Sequence, residues 1–253
     1  MEILVCVKRV PMVGGRIVLT SDDQRVDTRA LGFTVSPHEE CALEEAVRLV
    51  EAHGGRVTVL TLGLEEAADQ LRDALAVGAQ RAVLLRAERD WGPMATADAI
   101  VGAVARLGAD APFDLLLFGN EAADTGDYQV PVRVARALGW PCVTAIKRLE
   151  RDGSTLRAGR EYRGGEDIFE VPLPAVVSVK EGINLPRYPS LPGRIRAKKA
   201  PLETLAVDWR DDSPTTRRLV VPADERRQAA VLGHGAAGVP ALVALLEEIG
   251  VLP

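Results

Sequence analysis

Three stretches of this 253-residue chain carry side chains able to do chemistry. The first is Ser36-Pro37-His38-Glu39, at the head of a long helical pattern. Ser36 suits an N-cap, Pro37 the first helical turn, and Glu39 is spaced to bond back to the cap. That capping box accounts for the residues by itself. A helix opening near the carboxyl end of a strand also presents free N–H groups to an anion or nucleotide. His38 has no triad and no second histidine nearby in sequence, so packing or hydrogen bonding fits it better than catalysis.

The second stretch is the polar run Gly119-Asn120-Glu121-Ala122-Ala123-Asp124-Thr125-Gly126-Asp127-Tyr128-Gln129. Its composition suits backbone cradling of a phosphate, or hydrogen bonds to ribose hydroxyls. It lacks the lysine of a P-loop and the GxGxxG spacing of a dinucleotide fingerprint. Asp124 and Asp127 would repel a nearby phosphate, so hydroxyl contacts or helix capping suit them better. On physics alone, a nucleotide loop and an ordinary strand-to-helix connection fit it equally.

The third is Glu181–Pro201, EGINLPRYPSLPGRIRAKKAP. Pro186, Pro189, Pro192 and Pro201 deny it a regular hydrogen-bond ladder, while Arg187, Arg194, Arg196, Lys198 and Lys199 are costly to bury unpaired. Ile183, Leu185, Tyr188, Leu191 and Ile195 stud it with apolar groups. It reads equally as a docking device and as a solvated loop stiffened by proline. Outside these stretches no pattern supplies a nucleophile, paired catalytic carboxylates or metal ligands. Cys6 lies inside an apolar run and reads as a small core hydrophobe.

The elements that must position these groups follow from apolar periodicity. Met1–Val7, Val57–Leu62, Ala82–Leu85 and Phe113–Phe118 read as buried strands. Helical stripes lie between them: Leu43, Ala46, Val47 and Val50; Ala68, Leu71 and Leu75; Ala97, Ile100, Val101, Val104 and Leu107; Val130, Val134 and Leu138. Gly54, Gly78, Gly108 and Gly139 stand where those helices should stop, as residues that tolerate positive φ. Apolar strands alternating with helices predict an α/β domain, a doubly wound and mostly parallel sheet covered on both faces. Ligands of such sheets bind at the strands' carboxyl ends, which selects the loops after Val7, Leu62 and Phe118.

From Cys142 the pattern changes. Cys142–Leu149, Thr155–Tyr162, Asp167–Leu173 and Ala175–Val179 read as successive strands, with Asp152-Gly153 and Gly164-Gly165 as antiparallel turn signals. Leu202–Gln228 reads as a polar linker or extended arm, followed by a short amphipathic helix near Pro240–Ile249. Residues 1–205 are therefore expected to form one nucleotide-binding domain. Residues 206–253 are expected to form an arm whose helix packs on a partner subunit.

Bulk properties narrow the classes. Hydrophobic content of 47% and charged content of 26% are ordinary for a soluble globular chain. A net charge of −5 argues against general nucleic-acid binding, and the prolines of the basic run favour protein contact there. Cys6, Cys41 and Cys142 form no CxxC pair or Cys/His cluster, so neither a disulfide framework nor a zinc site is expected. With no leader pattern and no membrane-length apolar run, a cytoplasmic protein is expected.

The combined pattern resembles the β subunit of electron transfer flavoproteins. Four stretches carry the resemblance: Leu4–Val10, Ser36–Leu49, the Gly119–Gln129 loop leading to Leu138-Gly139-Trp140-Pro141, and Asn184-Leu185-Pro186-Arg187-Tyr188-Pro189-Ser190-Leu191-Pro192 with Ala197-Lys198-Lys199. It implies an adenine-nucleotide α-hydrolase-like fold and a heterodimer whose α subunit holds most of a redox-active FAD. It also implies an AMP held structurally by this subunit. Electrons would enter from dehydrogenases, acyl-CoA dehydrogenases being typical of fatty acid oxidation. They would leave for a membrane quinone oxidoreductase and the respiratory chain. This subunit would be an electron carrier without catalytic residues of its own.

Carried over residue by residue, the resemblance assigns AMP contacts to Cys6, Ser36, Pro37, His38, Glu39, Leu62, Asn120, Ala122, Asp124, Thr125, Gly126, Asp127, Tyr128, Gln129 and Val130. It assigns partner docking to Tyr188, Pro189, Leu191, Pro192, Arg194 and Ile195, with Leu191 as the apolar anchor. The family commonly has Asn where Ser36 stands and a small residue where Glu39 stands, and Thr125-Gly126 lies ahead of its usual place. Val13 and His38 occupy positions where some members bring aromatic rings to the flavin. Two other readings share the fold: a bifurcating flavoprotein with a second FAD in place of AMP, and a nucleotide-binding sensor of universal-stress type.

Overall fold

The computed structural model describes residues 1–12, 14, 17–89, 91–208, 217–222 and 230–252. Val13 and parts of the expected arm lie outside these residues. The opening apolar run is strand β1 (Glu2–Cys6), followed by a short antiparallel hairpin of β2 (Arg9–Pro11) and β3 (Phe33–Val35). Helix α1 (Pro37–His53) leads to β4 (Arg56–Gly63), α2 (Ala68–Val77) to β5 (Arg81–Arg86), and α3 (Pro93–Leu107) to β6 (Leu115–Gly119). Helix α4 (Val130–Leu138) completes the alternating part. The expected glycines cap α1 to α4. Gly54, Gly78 and Gly139 take φ of 73°, 147° and 69°, whereas Gly108 ends α3 at −87° without needing a positive angle.

The remaining elements are β7 (Cys142–Ile146), β8 (Arg148–Asp152), β9 (Thr155–Tyr162), β10 (Gly165–Pro172), β11 (Ala175–Val179), α5 (Leu191–Lys199), β12 (Glu203–Ala206) and α6 (Val239–Glu248). Seven strands form the central sheet in the order β12-β5-β4-β1-β6-β11-β7, every pairing parallel. Strands β8, β9 and β10 form a separate antiparallel sheet.

Period-2 alternation explains how continuous apolar strands cover both faces. Ile3, Val5, Val57, Val59, Leu115 and Leu117 face one core with α1 and α2. Leu4, Cys6, Leu60, Leu116 and Phe118 face the other with α3 and α4. Leu115, Leu116 and Leu117 are each fully buried, and such burial stabilises by about 1.5–3 kcal/mol per side chain.

Four expectations are corrected. Cys142–Leu149 is two strands, because β7 takes one extra residue between Val143 and Ile146, where β11 runs only from Val177 to Val179, and Ala145 adopts φ 60° there, which turns β8 out of the main sheet. Strand β11 is not part of the antiparallel sheet that precedes it; its five buried residues AVVSV, apolar but for Ser178, return between β6 and β7, as a strand covered on both faces can. The β9–β10 turn centres on Arg163-Gly164, both at positive φ (44° and 80°), rather than on Gly164-Gly165. Leu202–Gln228 does not begin as a linker, since β12 joins the sheet edge beside β5 and Arg81 pairs with Glu203 at 2.6 Å.

Candidate functional site

Strands β1, β4 and β5 are laid down in one direction, and β6 then returns to the other side of β1. The carboxyl ends of β1 and β6 therefore border the topological switch point, where open α/β sheets form their ligand crevice. A cavity of about 920 Å³, its open mouth included, lies there. Its floor is apolar and buried, built from Cys6, Leu60, Ile100 and Phe118. The 119–131 segment and the head of α1 form its walls.

Close approach at this point depends on Gly119. A Cβ there would lie 2.5 Å from Cγ and 2.9 Å from the backbone nitrogen of Glu39. Only glycine lets β6 end against the first turn of α1. Glu39 is buried and turns back towards the helix cap: the Ser36 N–H donates to its Oε2 at 3.3 Å, and the Ser36 hydroxyl lies 3.0 Å from the same oxygen. Burial pushes the Glu39 carboxyl up to about 7, against the Lys8 backbone and Ser36 hydrogen bonds that hold it down. Burial, with Glu39 beside it, also raises the Cys6 thiol far above its ordinary value, which disfavours the reactive thiolate.

Of the residues expected here, Cys6, Glu39, Leu62, Asn120, Ala122, Thr125, Asp127, Tyr128, Gln129 and Val130 line the cavity. Ser36, Pro37, His38, Asp124 and Gly126 do not line it. Asp124 forms an ion pair with Lys8 at 2.7 Å. His38 accepts the Glu181 N–H on Nδ1 at 2.9 Å and places Nε2 3.2 Å from the Glu121 carboxylate, so both ring nitrogens have protein partners. Gln129 accepts two hydrogen bonds from Arg133, at 3.1 and 2.8 Å.

Sequence reasoning missed the β5–α3 side. Arg89, Trp91, Pro93 and Thr96 line the same cavity, yet the loop after β5 was not among those selected. A lone tryptophan in a polar loop was the available signal. The indole Nε1 of Trp91 is buried without a hydrogen-bond partner. An apolar floor and a backbone-rich loop are compatible with a planar base carrying polar substituents.

The Glu181–Pro201 segment is half loop and half helix. Ser190 caps α5 by accepting the Gly193 N–H at 3.1 Å, and Pro192 sits in the first turn, where proline costs nothing. The loop half is clamped to α1. Arg187 reaches Glu44 at 2.8 and 3.1 Å and Glu51 at 2.6 and 2.9 Å. Asn184 donates to the Cys41 carbonyl at 3.0 Å and to Glu45 at 2.9 Å. Burial raises the Glu44 carboxyl, but hydrogen bonds from Arg187 and Arg48 outweigh it and hold the group below its ordinary value. The α5 end rests on α2, where Arg72 donates to the Ala197 carbonyl at 2.8 Å.

On this held backbone Ile183 packs against the core, and the other apolar side chains point outwards. Leu185 is 83% exposed, Tyr188 95%, Leu191 72% and Ile195 51%. Among the described residues no group of histidine, cysteine or carboxylate side chains could hold a metal ion. No described helix is long and apolar enough to cross a membrane.

Comparison with known proteins agrees with this architecture. Residues 25–209 match the family described as the electron transfer flavoprotein domain. The electron transfer flavoprotein subunit beta of Bacillus subtilis (strain 168) is 39% identical over 82% of this chain and 80% of its own length. That of Bradyrhizobium diazoefficiens is 33% identical over 100% of both chains, and that of Mycobacterium tuberculosis (strain H37Rv) is 35% identical over 81% and 79%. The chain belongs to the electron transfer flavoprotein family, on the side of its beta subunits.

Proposed function

We propose that this chain is the β subunit of a heterodimeric electron transfer flavoprotein and holds an AMP in the switch-point crevice as a structural ligand. The observation that carries the reading is the crevice itself, formed between β1, β4 and β6 and bordered by most of the residues the resemblance assigns to AMP. Cys6, Leu60, Ile100 and Phe118 would receive the adenine ring on an apolar surface, and the 120–130 backbone would hold the sugar-phosphate. Glu39, bent back to Ser36, keeps its carboxylate occupied with the helix cap. Cys6, with its raised thiol, would pack without reacting.

FAD, held mainly by the α subunit, would accept electrons from dehydrogenases of the acyl-CoA type and release them to a membrane quinone oxidoreductase feeding the respiratory chain. This chain would supply the docking surface. Leu191, presented at the start of α5 by Ser190 and Pro192, would fill a pocket on the dehydrogenase at little ordering cost. Tyr188, Pro189 and Ile195 would flank it, and Arg194 with its basic neighbours would steer the encounter. Residues 1–205 would act as the nucleotide and docking domain, with 206–253 as the arm. Helix α6 fits that role, because VPALVALLEE has no buried residue within this chain.

Acid release of nucleotide from the co-expressed heterodimer tests the reading. Mass spectrometry should find AMP and FAD at one equivalent each. Two equivalents of FAD and no AMP would replace this reading with the bifurcating one. One FAD with no AMP would leave the crevice without its assigned ligand.

A further inference from the structure

We infer that His38 is a positioning residue that links the two proposed sites, so that a nucleotide in the crevice steadies the root of the docking segment. The inference rests on the nucleotide and docking readings above and adds to them a route from one to the other.

The central sheet brings the two sites together at their roots. Strands β6 and β11 are parallel neighbours, with Gly119 opposite Val179. The chain leaves β6 as the crevice loop. It leaves β11, with only Lys180 between, as the docking segment that begins at Glu181. The Asn120 N–H donates to the Val179 carbonyl at 2.9 Å, which carries the ladder one step past β6.

Just past that rung, His38 joins the two chains from the first turn of α1. Its Nδ1 accepts the Glu181 N–H at 2.9 Å. An accepting Nδ1 carries no proton, which leaves the ring proton on Nε2, 3.2 Å from the Glu121 carboxylate. One nitrogen is thus committed to each site. The Ser36 hydroxyl lies 3.2 Å from the Glu121 carbonyl, so Glu121 meets the head of α1 through its backbone as well as its side chain.

Glu121 itself lines the cavity. A ligand held by the 120–130 backbone restricts Glu121, and the imidazole passes that restriction to the Glu181 amide. Further along the segment, Asn184 and Arg187 are clamped to later turns of α1. Glu181 is therefore the end of the segment that answers to the crevice. A phenyl ring at position 38 would fill similar space and make neither hydrogen bond.

The test follows amide hydrogen exchange at Glu181 in the heterodimer with its FAD in place, first freed of nucleotide and then at AMP concentrations shown to saturate each protein. In the wild type, AMP should slow that exchange about five-fold, the low end of measured coupling between sites. His38→Phe should exchange Glu181 about five-fold faster without AMP, the loss of one hydrogen bond, and AMP should no longer change the rate. Glu121→Ala cuts only the crevice half of the link: AMP should have no effect on Glu181. Glu121→Gln keeps an acceptor for Nε2 and should respond to AMP as the wild type does.

A purely structural His38 would shift exchange equally with and without AMP and leave the AMP effect in place. That result, or a wild type that binds AMP with no change at Glu181, overturns the inference and leaves the nucleotide reading intact. If His38→Phe does not fold, Glu121→Ala decides in the same way. A wild-type heterodimer that does not bind AMP overturns both.

Discussion

Glu39 illustrates how one side chain can serve a fold at the expense of its own solvation. It closes the cap of α1 from a position beside the Cys6 thiol, and burial raises its carboxyl to about 7 from the ordinary 4.5. Between those values the folded state binds a proton that the unfolded chain has released, so stability falls as pH rises through this window. Above about 7 the whole cost is present. Glu39→Gln keeps the size of the side chain and has no proton to lose. Thermal unfolding of the heterodimer from pH 5 to 8 should show wild type losing on the order of 3 kcal/mol relative to the variant, as that shift implies. Parallel pH profiles would mean that Glu39 is not titrating in the fold. The capping box was legible in Ser36-Pro37-His38-Glu39, but the burial that raises the carboxyl was not, because Gly119, which packs against Glu39, lies on a distant strand.

At the scale of elements, the clamp between α1 and the 181–187 segment carries the proposed docking surface. Glu44 is 2% exposed and is paired by Arg187 and Arg48. Removing Arg187 leaves a buried carboxylate half compensated and frees the loop from Glu51. Arg187→Ala should destabilise by about 2–3 kcal/mol and increase protease cleavage near Arg194. Glu44→Gln in the same background should recover part of that loss, since the uncompensated charge is gone.

The four strand-and-helix units were legible because each is continuous in sequence: an apolar run, an amphipathic stripe, a glycine. So was most of the crevice, because switch-point logic names the loops after β1, β4 and β6. What was not legible depends on partners far away along the chain. Strand β11 becomes central only because β6 and β7 leave a gap for it. Strand β12, ETLA, is too short and mixed to stand out, and it forms through pairing with β5. The prolines of Glu181–Pro201 suggested loop throughout, yet Pro192 falls where a helix begins, and RIRAKK then continues it. Trp91 escaped for a related reason: its loop follows β5, away from the switch point, and comes to the crevice only as α3 crosses the sheet.

In the whole molecule, two surfaces are separated by helix α1. Its N-terminus borders the crevice, and its later turns, through Glu44, Glu45 and Glu51, hold the segment proposed to dock. A nucleotide that orders the first end would also steady the platform for the second, while taking no part in electron transfer. The most direct test of this account is the rate at which a dehydrogenase of the acyl-CoA type reduces the flavin of the heterodimer, compared between wild type and Leu191→Ala. The account predicts about a ten-fold fall in that rate at limiting protein concentration, the loss typical of an anchoring side chain. FAD and AMP content should be unchanged. Equal rates, or a loss of bound FAD in proportion to the loss of rate, would contradict it.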